Sequence, residues 1–161
     1  MNIIKKLLLS VFFFTSCTEL FSQDYDLNFI FVINENVNPS ISSIKLKRKL
    51  ENKLIKEYSL LYSPGSLKID SLSFNEITSM QENYNYTLSV SYNEVCKDDI
   101  NYYHFDIEDF KIGWLNNYYF IMYVYNTNKK EYKKYYNPIK DRDFTYEYDS
   151  PDGSMRRVKR R

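Results

Sequence analysis

From Tyr84 to Tyr92 the chain reads YNYTLSVSY, with apolar and polar residues alternating at every step. A helix would scatter those apolar positions around its circumference. A strand puts Tyr84, Tyr86, Leu88, Val90 and Tyr92 on one face and Asn and small hydroxyls on the other. This stretch is therefore a half-buried strand with one wet face, and a strand of this kind needs neighbours to pair with.

Those neighbours are legible elsewhere. Tyr102 to Ile107 and Phe144 to Tyr148 alternate in the same way. Leu27 to Ile33 and Tyr118 to Tyr125 are nearly apolar on both faces, as central strands are. Leu67 to Leu72 reads as a short strand. Asn126 to Lys130 reads as a hairpin loop leading into a strand over Glu131 to Tyr136. The chain has seventeen tyrosines, eleven phenylalanines and no alanine, so its core must be filled largely by aromatic rings.

One segment has helical spacing. Asn38-Pro39 is an N-cap followed by a first-turn proline. After it, Ile44, Leu46, Leu50, Leu54, Ile55 and Tyr58 fall in one sector of a helical wheel, with Lys45, Lys49, Lys53 and Lys56 opposite. The expectation is one long helix, closed at Pro64-Gly65. Ser73-Phe74-Asn75-Glu76 has capping-box spacing and predicts a second, short helix. The expected class is α+β: a largely antiparallel twisted sheet of about six strands with one long helix packed on one face.

The N-terminus has the order of an export signal over residues 1–22. Lys5 and Lys6 precede an apolar run, Leu7 to Phe14, that is too short to span a bilayer as a helix. Thr15-Ser16-Cys17 resembles the lipobox of bacterial lipoproteins. The resemblance implies a cut before Cys17 and a lipid on its sulfur, anchoring the protein to a membrane. The rival cut lies after Ser22, leaving a chain that begins at Gln23, as exported bacterial chains often do. Both resemblances cover the leader only. The first is expected, and it predicts a lipid-anchored protein of the periplasm or outer membrane; the second predicts a soluble secreted one. Either cut leaves Cys96 without Cys17 as a disulfide partner. Residues 24–161 are enough for one β-rich domain with a real core and too few for two.

Three groups are candidates for function. His104, Asp106 and Glu108 alternate along a strand, so they share a face, and one imidazole with two carboxylates suits a divalent metal. The competing reading is the solvent face of an amphipathic strand. The tyrosines offer flat apolar faces with polar tips, suited to sugars or peptides. The third group is the tail: Arg156, Arg157, Lys159, Arg160 and Arg161. Charge is segregated, with nine acids and two bases from Ile69 to Asn128, and eleven bases and six acids from Lys129 onward. A basic tail suits an anionic surface. Export argues against nucleic acid as the partner and leaves lipid headgroups or lipopolysaccharide phosphates. Alternatively, the turn residues Ser150-Pro151-Asp152-Gly153 bring the tail back as a last strand near Glu147 and Asp149.

There is no Gly-rich phosphate loop, no HExxH and no GxSxG, and a Ser-His-Asp site would have to use His104, the sole histidine. No bound cofactor is expected. The expected function is a non-enzymatic binding or structural module of the cell envelope, with an envelope protein or a glycan as partner. The alternatives are a periplasmic inhibitor of the immunity type, for which the separated charges would steer a partner, and a small metal-assisted hydrolase.

Overall fold

The strand over Tyr84 to Tyr92 is the middle of the fold. In the computed structural model, which describes residues 24–37, 39–79, 84–96, 99–136 and 142–157, it is part of a strand over Asn85–Cys96. Numbered along the chain, the strands are β1 (Asp24–Leu27), β2 (Phe29–Ile33), β3 (Ser40–Leu50), β4 (Lys53–Ser63), β5 (Ser66–Asp70), β6 (Asn85–Cys96), β7 (Asp99–Ile107), β8 (Phe120–Asn126), β9 (Phe144–Ser150) and β10 (Gly153–Met155). Helix α1 covers Ser71–Ser79, a 3-10 turn covers Ile112–Asn116, and α2 covers Lys130–Lys133.

The first sheet runs β1-β5-β4-β3-β6-β7, and the second β10-β9-β8-β2. All pairings are antiparallel except β2 with β8. On β6, Tyr86, Leu88, Val90 and Tyr92 are buried, as the alternation requires. Thr87 and Ser89 on the opposite face are buried too, between the flanking strands β3 and β7. Ile44, Leu46, Leu67, Ile69 and Ile107 of the first sheet share one core with Phe29, Phe31, Phe120 and Met122 of the second.

The architecture is mostly antiparallel sheet with short helices. The expected long helix is a hairpin instead: β3 and β4 joined at Glu51 and Asn52. Both turn residues have left-handed φ, 47° and 66°, the conformation of a type I′ turn. The segment satisfies two periods at once. Ile44 and Leu46 are buried while Lys45 and Lys47 are not, so the strand period governs the core-facing part. Three of the helical-sector residues, Leu50, Leu54 and Ile55, stay exposed. A strand edge on each side, β6 and β5, supplies pairing that a helix could not use. Asn38, the expected N-cap, lies outside the described residues.

Two further expectations change. Leu27 to Ile33 is two strands: β1 pairs with β5 in the first sheet, and β2 pairs with β8 in the second. Asn28 sits at the crossing, where its amide donates to Tyr118 O at 2.9 Å and its carbonyl accepts from Phe120 N at 2.8 Å. One apolar run thus feeds both sheets, which is why both its faces are apolar. Glu131 to Tyr136 is no strand. Its first three residues belong to α2 instead, and Tyr132 and Tyr136, four residues apart, both pack on Tyr125 at 5.3 and 5.0 Å between ring centroids. The short helix near Ser73 is present as α1, but its cap is Asp70, whose Oδ1 accepts from Ser73 N at 2.9 Å.

Candidate functional site

The β7 strand closes one side of the first sheet. Beyond it, the end of β8, the loop after it and the start of β9 form a facing wall. Between them lies a cleft of about 450 Å³, lined by Tyr92, Tyr102, Tyr103, His104, Phe105, Val124, Asn126, Asn128, Lys129, Asp143 and Phe144. Its size is that of a small-ligand site. Its aromatic side is built in layers. Tyr103 stacks on Tyr92 at 5.1 Å, Phe105 meets Phe144 at 5.2 Å, and Tyr102 stands 76% exposed at the outside.

The polar side is held by Asn34. The turn after β2 places Asn34 and Glu35 at left-handed φ of 51° and 65°, closed by reciprocal backbone hydrogen bonds between Ile33 and Asn36. Asparagine tolerates that conformation better than most residues. From there the Asn34 amide donates to Glu94 Oε1 at 2.6 Å, and its Oδ1 accepts from Asn126 N at 2.9 Å. Lys129 Nζ donates to Glu94 Oε2 at 2.5 Å, and Asn126 Oδ1 accepts from Asn128 N at 2.9 Å. Beside this group, burial pushes the Tyr92 phenol up to about 12, and the Glu94 charge adds to the shift; hydrogen bonds from Asn34 and Asn126 oppose it.

Lys129 also lines a second hollow of about 410 Å³, with Ile33, Asn34, Asn36, Ser40, Asn93, Glu94 and Val95. There the buried Oδ1 of Asn93 has no hydrogen-bond partner among the described residues. Lys129 lines both hollows, and its partner Glu94 lines the second.

The three candidate metal ligands are split. His104 Nε2 lies 3.2 Å from Asp106 Oδ1. Glu108, past the end of β7, pairs instead with Arg142. Asp106 also accepts from Ser89 Oγ and lies 3.9 Å from Lys47 Nζ. No group of three or more His, Cys, Asp or Glu is placed to hold a metal ion among the described residues. His104 Nδ1 is 3.0 Å from Ser91 Oγ, its cross-strand neighbour. Serine, imidazole and carboxylate are thus in series, but Ser91 does not line the cleft.

In the tail, Gly153–Met155 pairs back on β9. Arg156 Nη1 donates to Tyr148 O at 3.0 Å, and the same guanidinium pairs with Asp149 and lies 5.2 Å from the Tyr123 ring. Arg157 N donates to Glu147 Oε1 at 2.9 Å. Cys17, Lys159, Arg160 and Arg161 lie outside the described residues, as does the rest of the leader. No helix among the described residues is long and apolar enough to cross a membrane.

Sequence reasoning anticipated the aromatic side of the cleft only in general terms, and it missed Asn34, Glu94, Asn126 and Lys129. These four come from the turn after β2, from β6, from β8 and from the loop after β8, and no local pattern joins them. The one available signal was the density of Asn at turn positions, in Asn34-Glu35-Asn36 and Asn126-Thr127-Asn128. No family model matches the chain, and no curated protein and no solved structure is found similar to it.

Proposed function

We propose that this chain is an exported, non-enzymatic binding module of the bacterial cell envelope, and that its ligand is a glycan seated in the cleft between β7 and the loop after β8. The observation that carries this reading is a cleft lined by the aromatic residues Tyr102, Tyr103 and Phe105 together with Asn126 and Lys129, which are held through Asn34 and Glu94. Tyrosine offers a flat apolar face to the C–H side of a sugar ring, and fixed amide, carboxylate and ammonium groups take up the hydroxyls. In the same proposal the leader directs export, and lipidation at Cys17 holds the protein in the periplasm or at the outer membrane.

The test is binding of cell-envelope polysaccharide fragments, followed calorimetrically. Tyr102→Ala should weaken binding by at least about tenfold, the equivalent of one buried aromatic contact. It should leave the melting temperature unchanged, because Tyr102 is exposed. Equal affinity for wild type and variant would sink the glycan reading.

A second reading is favoured by one observation. β7 is the marginal strand of its sheet, paired with β6 alone among the described strands. A free strand edge is a docking site for a protein partner. Capture of a single stoichiometric protein that masks β7, without glycan binding, would favour an inhibitor of the immunity type.

A further inference from the structure

The β3–β4 hairpin ends in apolar side chains that the core leaves out. Leu50, Leu54 and Ile55 are 40%, 56% and 48% exposed. The register explains why. Arg48 pairs with Lys56 and Lys49 with Leu54, so Ile55 is an extra residue in β4, a bulge. Beyond it, Lys49 sits opposite Leu54, and Leu50 sits opposite Lys53. Residues directly opposite share a face. Each face of the tip therefore carries one leucine beside one lysine.

We propose that this tip is a membrane-surface finger, which dips Leu50, Leu54 and Ile55 into an anionic bilayer while Lys49 and Lys53 meet its headgroups. Three observations select a bilayer over a protein partner. First, the centre of a protein–protein interface is depleted of lysine, whereas interfacial membrane segments combine leucine with lysine. Lysine stems lie along apolar surface and lift the ammonium to the headgroups. Second, residues 45–56 hold six bases and one acid. Lys45 is matched by Glu57, and Arg48 and Lys56 by Glu76, while Lys49 and Lys53 make no ion pair among the described residues. Third, β1 starts at Asp24 opposite Asp70, and β5 runs antiparallel to β4, so the chain enters β1 at the end nearer the hairpin turn, level with the middle of β4. Residues 1–23 join the body there, with Cys17 seven positions before Asp24. A lipid on Cys17 and the finger would then approach the same surface. The finger does not depend on the cleft or its ligand.

The experiment places a tryptophan at the tip of the full chain carrying Cys17→Ser, which removes any lipidation. Ile55→Trp is compared with Tyr102→Trp at β7, after subtracting the Trp114 emission of the parent. Vesicles are phosphatidylethanolamine with phosphatidylglycerol, with and without brominated acyl chains. The expected result is a blue shift of Ile55→Trp and quenching several-fold stronger than for Tyr102→Trp. Lys49→Glu with Lys53→Glu should remove the shift, and raising salt should weaken it. Three results would overturn the finger: no shift at Ile55→Trp, equal quenching at both reporters, or a lipid-independent shift that grows with protein concentration. The last would mean that a second copy covers the tip.

Discussion

Arg48 Nη1 lies 3.1 Å from Glu76 Oε1, joining the hairpin at β3 to helix α1. Arg48 follows Ile44 and Leu46 on the inward face of β3, so a guanidinium occupies the next core-facing position. It is buried, flanked by the Tyr58 and Tyr84 rings at 5.8 and 4.9 Å. Lys56 shares the same carboxylate.

The two partners should respond unequally. Arg48→Met keeps the volume and the contact with both rings, and removes the buried charge. It should cost about 1 kcal/mol in urea denaturation. Glu76→Ala leaves the buried guanidinium without this carboxylate, and should lower the denaturation midpoint further than Arg48→Met. Equal midpoints for the two variants would mean that the guanidinium is held mainly by other contacts.

Acid should loosen α1 before the sheets. The Lys56 ammonium holds the Glu76 carboxyl below its ordinary range, and the Ser73 backbone N–H does the same for Asp70. A folded value below the unfolded one gives stability that is complete above the unfolded value, about 4, and is lost as pH falls through the folded one. Asp70→Asn keeps a good N-cap but does not titrate. It should match wild type near neutral pH and lose less melting temperature between about pH 5 and pH 3. Parallel curves for the two proteins would show that the cap contributes nothing to the acid response.

The Glu51-Asn52 turn is a site for stabilisation. Both residues adopt left-handed φ, which costs a side-chain-bearing residue roughly 1–2 kcal/mol, less for asparagine. Replacing the pair by Asn-Gly, the preferred type I′ sequence, should raise stability by about 1 kcal/mol without moving the register. Chemical denaturation reads the first part, and cross-strand nuclear Overhauser contacts between Leu50 and Lys53 read the second.

The most strongly shifted buried tyrosines should resist ionisation while the fold is intact. Burial, the first cause in each case, pushes the Tyr58, Tyr92 and Tyr132 phenols up to about 12, and pushes Tyr136 up as well. A raised folded value gives stability that is full below the unfolded value, about 10, and is lost as pH rises toward the folded one. Ultraviolet difference spectra, read alongside circular dichroism, show when these four phenols ionise relative to unfolding. The buried group should ionise only together with alkaline unfolding. Ionisation of Tyr58, Tyr92, Tyr132 and Tyr136 near pH 10, with the fold intact, would contradict this burial.

The sequence alone determined the character of the chain: a β-rich, tyrosine-packed body. The strict alternation of Tyr84 to Tyr92 set β6, because only a strand can sort that pattern into two faces. The same logic reached β7 and β9, and the turn residues before Gly153 placed a return strand after β9. Tertiary structure decided the rest, wherever local pattern was degenerate. The leucines and lysines from Ile44 to Tyr58 fit both a helical and a strand period, and the open edges of β6 and β5 chose the strand. Leu27 to Ile33 is apolar on both faces whether it lies inside one sheet or crosses between two, and only the pairing of Asn28 with Tyr118 and Phe120 distinguishes them. The cleft was the least legible feature. Its aromatic wall is local to β7, but its polar side joins Asn34 to Glu94 and to Asn126, 60 and 92 residues apart. Hydrogen bonds over such separations leave no periodic trace in a sequence, because what sets them is where the strands end once the core has closed.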